Sequence, residues 1–336
     1  MRERSITNFH AIPVSLLFSL GLLLTMLISA CNSGTISPSN SALPSSDCHI
    51  VQHFKGETCV PNQPQRVVIL GGLDYALSLG VKPIGSDGVR QDKFYLKEKA
   101  NGIEDVGGND APNLEKILNL KPDLILGSEY TNVSYDVLSK IAPTAIFNYE
   151  HSGKWKEFLM HYAKALGKTT EAEQVMEQYQ ARLKEFQQKM GNRAAETEVS
   201  IVRIYPTHVN LYLKDSFCGT IIADAGLSRP PSQNLTASEA KTLFGNEIQR
   251  EVSREKISDV DGDVVFLWTY GHQNEVLQQA QTQKEKLKAD ALWSTLTAVQ
   301  QERVYEVPGY WIGDGPIAAN AVIDDLFKYL IETPQS

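Results

Sequence analysis

Three reactive signatures are missing from the 336 residues: there is no Gly-x-Ser-x-Gly elbow, no phosphate-binding loop and no His-Glu-x-x-His helix. Serine hydrolysis, P-loop nucleotide chemistry and zincin-type peptidolysis are left without their usual machinery, and the chain is read as a non-enzyme. Basic runs are absent too, and a net charge of −8 argues against nucleic acid as a partner. The seven histidines make no convincing set for a naked metal ion, so no direct metal site and no cofactor are expected. Asp259-Val260-Asp261-Gly262-Asp263 begins like a calcium loop but lacks the downstream acidic ligand, and is expected to be a turn before Val264.

Cysteine is scarce, with four in the chain, and long apolar runs are scarcer still. The run from Val14 to Ile28 follows Arg2 and Arg4 and ends in Leu27-Ile28-Ser29-Ala30-Cys31. It is short for a membrane span and sits at the N-terminus, the pattern of a lipoprotein signal peptide over 1–30. Cys31 is then the first mature residue and carries acyl chains such as palmitate, which hold a protein at a bilayer. The other reading is an uncleaved anchor with a chance cysteine; both put the globular part outside the cytoplasm. Residues 31–46, rich in Ser, Asn and Pro, form a flexible tether. Cys48 and Cys59 flank a Lys55-Gly56 turn signal, which predicts a disulfide closing a β-hairpin. Metal ligation with His49 and His53 is the alternative, at spacings that fit no common zinc pattern. Cys218 is left over as a buried small hydrophobe.

The remaining chain divides into an N-terminal α/β lobe over 47–151, a connecting segment over 152–191 and a C-terminal α/β lobe over 192–336. Asn113-Leu114-Glu115-Lys116-Ile117 leading to Asp123-Leu124-Ile125 resembles Ser253-Arg254-Glu255-Lys256-Ile257 leading to Asp263-Val264-Val265. Each is a cap, a short helix and a buried strand, and the matching order favours two related lobes. Apolar runs at Val67–Leu70, Leu124–Leu126, Ala145–Phe147, Val199–Val202 and Val264–Leu267 alternate with helical segments. The alternation predicts two Rossmann-like lobes with parallel sheets. Trp155, Phe158, Leu159, Tyr162 and Leu166, then Tyr179, Leu183 and Phe186, form apolar stripes. These predict a single long helix joining the lobes, kinked at Gly167, or two successive helices. Trp155 and Trp293 lie on such stripes and are expected in the core.

At this point the mature chain resembles the lipoprotein substrate-binding components of bacterial ABC importers, in the helical-backbone class that binds ferric siderophores, cobalamin or haem. The resemblance rests on His53-Phe54-Lys55-Gly56-Glu57-Thr58, Pro64-Gln65-Arg66-Val67-Val68, Leu79-Gly80-Val81-Lys82-Pro83, Asn113-Leu114-Glu115, Lys121-Pro122-Asp123 and Gly315-Pro316-Ile317-Ala318-Ala319. It implies a ligand cleft between the lobes, a monomer, and partnership with an ABC permease and its ATPase. It further implies that Glu115 and Glu255, one on each lobe, dock onto the permease; helix-end stabilisation is the local alternative.

An iron chelate needs cations for its oxygens and aromatic faces for its linkers. Arg203 ends an apolar run, where ligands of open α/β sheets bind. Tyr205 and His208 follow it, Trp268 and Tyr270 end the later strand, and Tyr310-Trp311 occupy a Gly/Pro-bounded loop. Tyr130 and Arg90 are the first-lobe candidates. Arg203 as a structural ion-pair partner and Trp268 as a core aromatic are the competing readings. So few cations suit a ferric hydroxamate or citrate-hydroxamate better than a trianionic catecholate. Cobalamin or haem is the alternative cargo, and an anchored enzyme or sensor domain the alternative of another class.

Overall fold

In the computed structural model, which describes residues 47–88, 94–96, 98–108, 111–269 and 274–333, the first described element is a hairpin. Cys48–His53 pairs antiparallel with Gly56–Pro61, and Phe54-Lys55 makes the turn. Cys48 and Cys59 are joined by a disulfide with their Cα atoms 5.5 Å apart, as expected. His49 instead bonds the Lys164 carbonyl (3.0 Å), and His53 bonds Thr58 Oγ1 (2.9 Å). The Phe54 amide donates to the Ile146 carbonyl and ties the hairpin to the first lobe.

Each lobe is built on a five-stranded sheet. The first has the order Glu104–Asp105, Gly85–Ser86, Val67–Leu70, Leu124–Ser128, Thr144–Phe147 and is parallel throughout. The second has the order Gln249–Val252, Val209–Tyr212, Val199–Ile204, Val264–Thr269, Val304–Glu306. Two α/β lobes are therefore present, but the second sheet is mixed rather than parallel. Val209–Tyr212 runs antiparallel to Val199–Ile204 and to Gln249–Val252. The reason is local: the four residues 205–208 reverse the chain, with the Tyr205 amide donating to the His208 carbonyl (2.9 Å), whereas a parallel return needs a long crossover.

A second correction concerns the connection. It is two helices, Trp155–Leu166 and Thr169–Met190, and not a single long one. Gly167 takes a left-handed conformation (φ 66°), and its amide closes onto the carbonyls of the preceding turn, which ends the first helix. Both helices feed one apolar core. Trp155, Phe158, Tyr162, Tyr179, Leu183 and Phe186 pack in a cluster that also holds Ile69 and Leu126 of the first sheet and Ile201 and Phe266 of the second. Trp293 lies in a separate core on the far face of the second sheet, with Val202 and Leu267.

One polar contact also crosses between the lobes. Asp74, fully buried in the helix Leu73–Ser78, accepts from the amides of Ile317 (2.9 Å) and Ala318 (3.0 Å) at the start of the last helix, Pro316–Phe327. A carboxylate at a helix N-terminus meets both the orphan amides and the dipole. Gly315 is required here, because a Cβ would run into the Asp74 carboxylate.

Candidate functional site

The C-terminal end of the second sheet gathers most of the expected residues. Arg203 stands opposite Trp268 on the parallel neighbour and opposite Asn210 on the antiparallel one, so the three side chains form a row on one face. Arg203 is 7% exposed; its Nη1 donates to the Tyr212 phenol oxygen at 2.6 Å, and its guanidinium lies 4.7 Å from the Tyr205 ring centre. Burial holds the Tyr212 phenol protonated against the opposing pull of Arg203. Trp268 is nearly buried, 5.2 Å from the Tyr212 ring, and its indole Nε1 has no hydrogen-bond partner among the described residues.

Tyr205 and His208, the two ends of the reversing turn, stack at 4.4 Å. The Tyr205 hydroxyl and the Asn210 amide both donate to Gln249 Oε1, at 3.3 and 3.1 Å. His208 also borders a cavity of about 340 Å³ with Ser253, Arg254 and Lys286 on the flank of the lobe, so it stands at the edge of the cluster. Tyr212, Asn210 and Gln249 were missed in the sequence; the strand Val209–Tyr212, with its apolar alternation, is the signal that places the first two, and Gln249 lies opposite Tyr212 on the neighbouring strand.

Tyr310 and Trp311 separate. The Tyr310 hydroxyl and the Trp311 indole Nε1 both donate to Asp325 Oδ2 at 2.8 Å. Trp311 is fully buried and stacked on Phe266 at 4.4 Å, which corrects its assignment to the ligand site: it has neither free surface nor free donor. Tyr310 stays half-buried on the loop. Burial raises the Asp325 carboxyl above the ordinary range while the two donors pull it down.

In the first lobe Tyr130, 55% exposed, projects past the end of Leu124–Ser128 and packs edge-on against Tyr149 at 6.4 Å. Burial raises its phenol, and the carboxylates of Glu129 and, from the second lobe, Glu247 add to this. Glu129 is itself spent on the Tyr149 amide, accepting it through both oxygens (2.7 and 2.6 Å). Arg90, Tyr270 and Cys31 lie outside the described residues.

Glu115 and Glu255 occupy equivalent exposed places. Glu115 is in the first turn of Leu114–Leu120, whose cap Asn113 accepts the Lys116 amide at 3.0 Å. Glu255 opens the 3-10 helix Arg254–Val260, where hydrogen bonds from its own amide and the Ser253 side chain hold its carboxyl below the usual range. The acidic segment before Val264 is a set of caps: Asp261 accepts the Thr297 and Ala298 amides (2.8 and 3.1 Å), and Asp263 accepts the Glu198 amide (2.7 Å). Among the described residues no group of three or more His, Cys, Asp and Glu is placed to hold a metal ion.

The family model described as periplasmic binding protein matches residues 72–310. The probable siderophore-binding lipoprotein YfiY of Bacillus subtilis (strain 168) is 35% identical over 329 residues, covering 95% of this chain and 98% of the relative. The achromobactin-binding periplasmic protein of Dickeya dadantii is 29% identical over 277 residues, 79% of this chain and 86% of that protein. Among solved structures, SirA of Staphylococcus aureus complexed with staphyloferrin B matches with a TM-score of 0.73 and 30% identity, covering 84% of this chain and 98% of SirA.

Proposed function

Because this chain belongs to the periplasmic binding protein family, we propose that it captures a ferric siderophore outside the cytoplasm and delivers it to an ABC permease and its ATPase. The family is one of substrate-binding proteins and not of enzymes. The observation that carries the proposal is the cluster of Arg203, Tyr205, Tyr212 and Trp268 at the strand ends of the second lobe. A charge-assisted donor among aromatic faces suits the oxygens and linkers of an iron chelate.

The iron is held by the chelate, a hydroxamate or citrate-hydroxamate, and not by protein ligands. Cys31 carries the lipid, and residues 31–46 leave the monomeric binding body within reach of the transporter, which raises its effective concentration there. Glu115 and Glu255 each present a carboxylate from one lobe to one of two permease subunits.

Tryptophan fluorescence titration tests the reading, because Trp268 lies within the cluster. Quenching by a ferric hydroxamate or citrate-hydroxamate chelate at sub-micromolar concentration is the expected result. Silence across hydroxamate, catecholate and citrate chelates overturns it.

A further inference from the structure

Behind the Arg203–Tyr212 pair lies a second guanidinium that the proposed function leaves unused. Arg229, 6% exposed, donates through Nη2 to the Tyr212 carbonyl and to Gln233 Oε1 (2.5 Å). Its Nε and Nη1 are buried with no hydrogen-bond partner among the described residues. No carboxylate among those residues pairs with it. Among the described residues the one titratable group acting on it is the Cys218 thiol, which burial pushes up and so keeps neutral. Burial lowers the Arg229 guanidinium to about 10, which leaves it charged at neutral pH.

A buried charge without a counter-ion is costly, and the fold retains one immediately beside its candidate binding cluster. Tyr212 is the link: its backbone carbonyl takes Arg229 and its phenol takes Arg203, so two cations bond one residue in a protein of net charge −8.

We propose that Arg229 is a positioning residue that supplies a fixed positive charge beneath the site and, with Arg203, selects ferric chelates of net negative charge over neutral ones. The inference rests on the siderophore-binding reading and names the class within it. Three singly charged hydroxamates cancel Fe³⁺, whereas citrate-type carboxylates leave the complex anionic. Arg229 acts on the anion through the low-dielectric interior, without contact. In general, unit charges about 12 Å apart at an effective dielectric of about 20 interact strongly enough to change affinity on the order of tenfold.

The test is fluorescence titration of the full chain with ferric citrate and with a neutral ferric trihydroxamate, comparing wild type, Arg229→Met and Arg229→Lys. Arg229→Met is expected to weaken ferric citrate about tenfold more than the trihydroxamate, and Arg229→Lys to restore the ratio. An unchanged ratio in Arg229→Met overturns the proposal. Should Arg229→Met fail to fold by circular dichroism, Arg203→Met decides: a residual preference for ferric citrate supports Arg229 as a second charge, and loss of all preference overturns it. Wild-type silence toward both chelates is a different failure, that of the siderophore reading itself.

Discussion

The two lobes share an architecture but spend their polar residues differently. At the strand ends of the first lobe the acids serve the backbone: Glu129 holds the Tyr149 amide, and Asp87 holds the Gly71 amide at 2.7 Å. At the strand ends of the second lobe stand Arg203 and, behind it, Arg229, bonded to a phenol, a carbonyl and an amide oxygen. The first lobe thus spends its acids on holding loops in place, and the second carries the two guanidiniums proposed to act on an oxygen-rich ligand. Two lobes of like architecture need not use their polar residues alike.

Five changes would break or sharpen that contrast, in falling order of effect. The lobes should matter equally for docking: reversing both Glu115 and Glu255 to Lys is expected to abolish uptake in cells while leaving chelate affinity unchanged. Unaltered uptake removes the docking role. Asp74→Ala strips two amides of a charged acceptor and should cost about 3 kcal/mol of unfolding free energy in denaturant melts. Arg203→Ala should weaken chelate binding by roughly 1.5–3 kcal/mol with little change in thermal stability. A large loss of stability with intact binding would favour a purely structural role.

Asp325→Asn probes the loop carrying Tyr310. Because burial raises the Asp325 carboxyl in the folded state, the folded protein binds a proton the unfolded chain has released. Its contribution to stability therefore falls as pH rises from the ordinary carboxylate range through the raised value. The Asn variant should show a flatter stability curve over that window, and an identical curve would contradict the raised carboxyl. Smallest of all, Tyr130→Ala should alter chelate binding by less than about 1 kcal/mol, since its ring is 55% exposed and packs edge-on against Tyr149.

What was legible in the sequence is what neighbouring residues decide. The Cys48–Cys59 hairpin, the two lobes, the matching turns at Glu115 and Glu255 and the core place of Trp155 all follow from caps, turns and periodicity. Gly167 was visible as a break, but whether it bends a helix or ends one depends on its left-handed conformation. Trp311 looked available because its loop is bounded by Gly and Pro, yet its partner Asp325 comes fourteen residues later, on the last helix. Arg229 gave no signal at all. A cation becomes unusual only when tertiary packing buries it away from acids, and spacing along the chain does not report that.

Asp74 joins positions 243 and 244 residues apart, nearly the two ends of the folded body. Closing so large a loop is entropically demanding and comes late. A chain emerging N-terminus first must hold its first lobe open, with this carboxylate solvated, until the last helix arrives. Truncation before Pro316, a loss of 21 residues, would then leave a protein whose sheets can form but whose Asp74 never receives its closing contact, marking truncated copies for proteolysis.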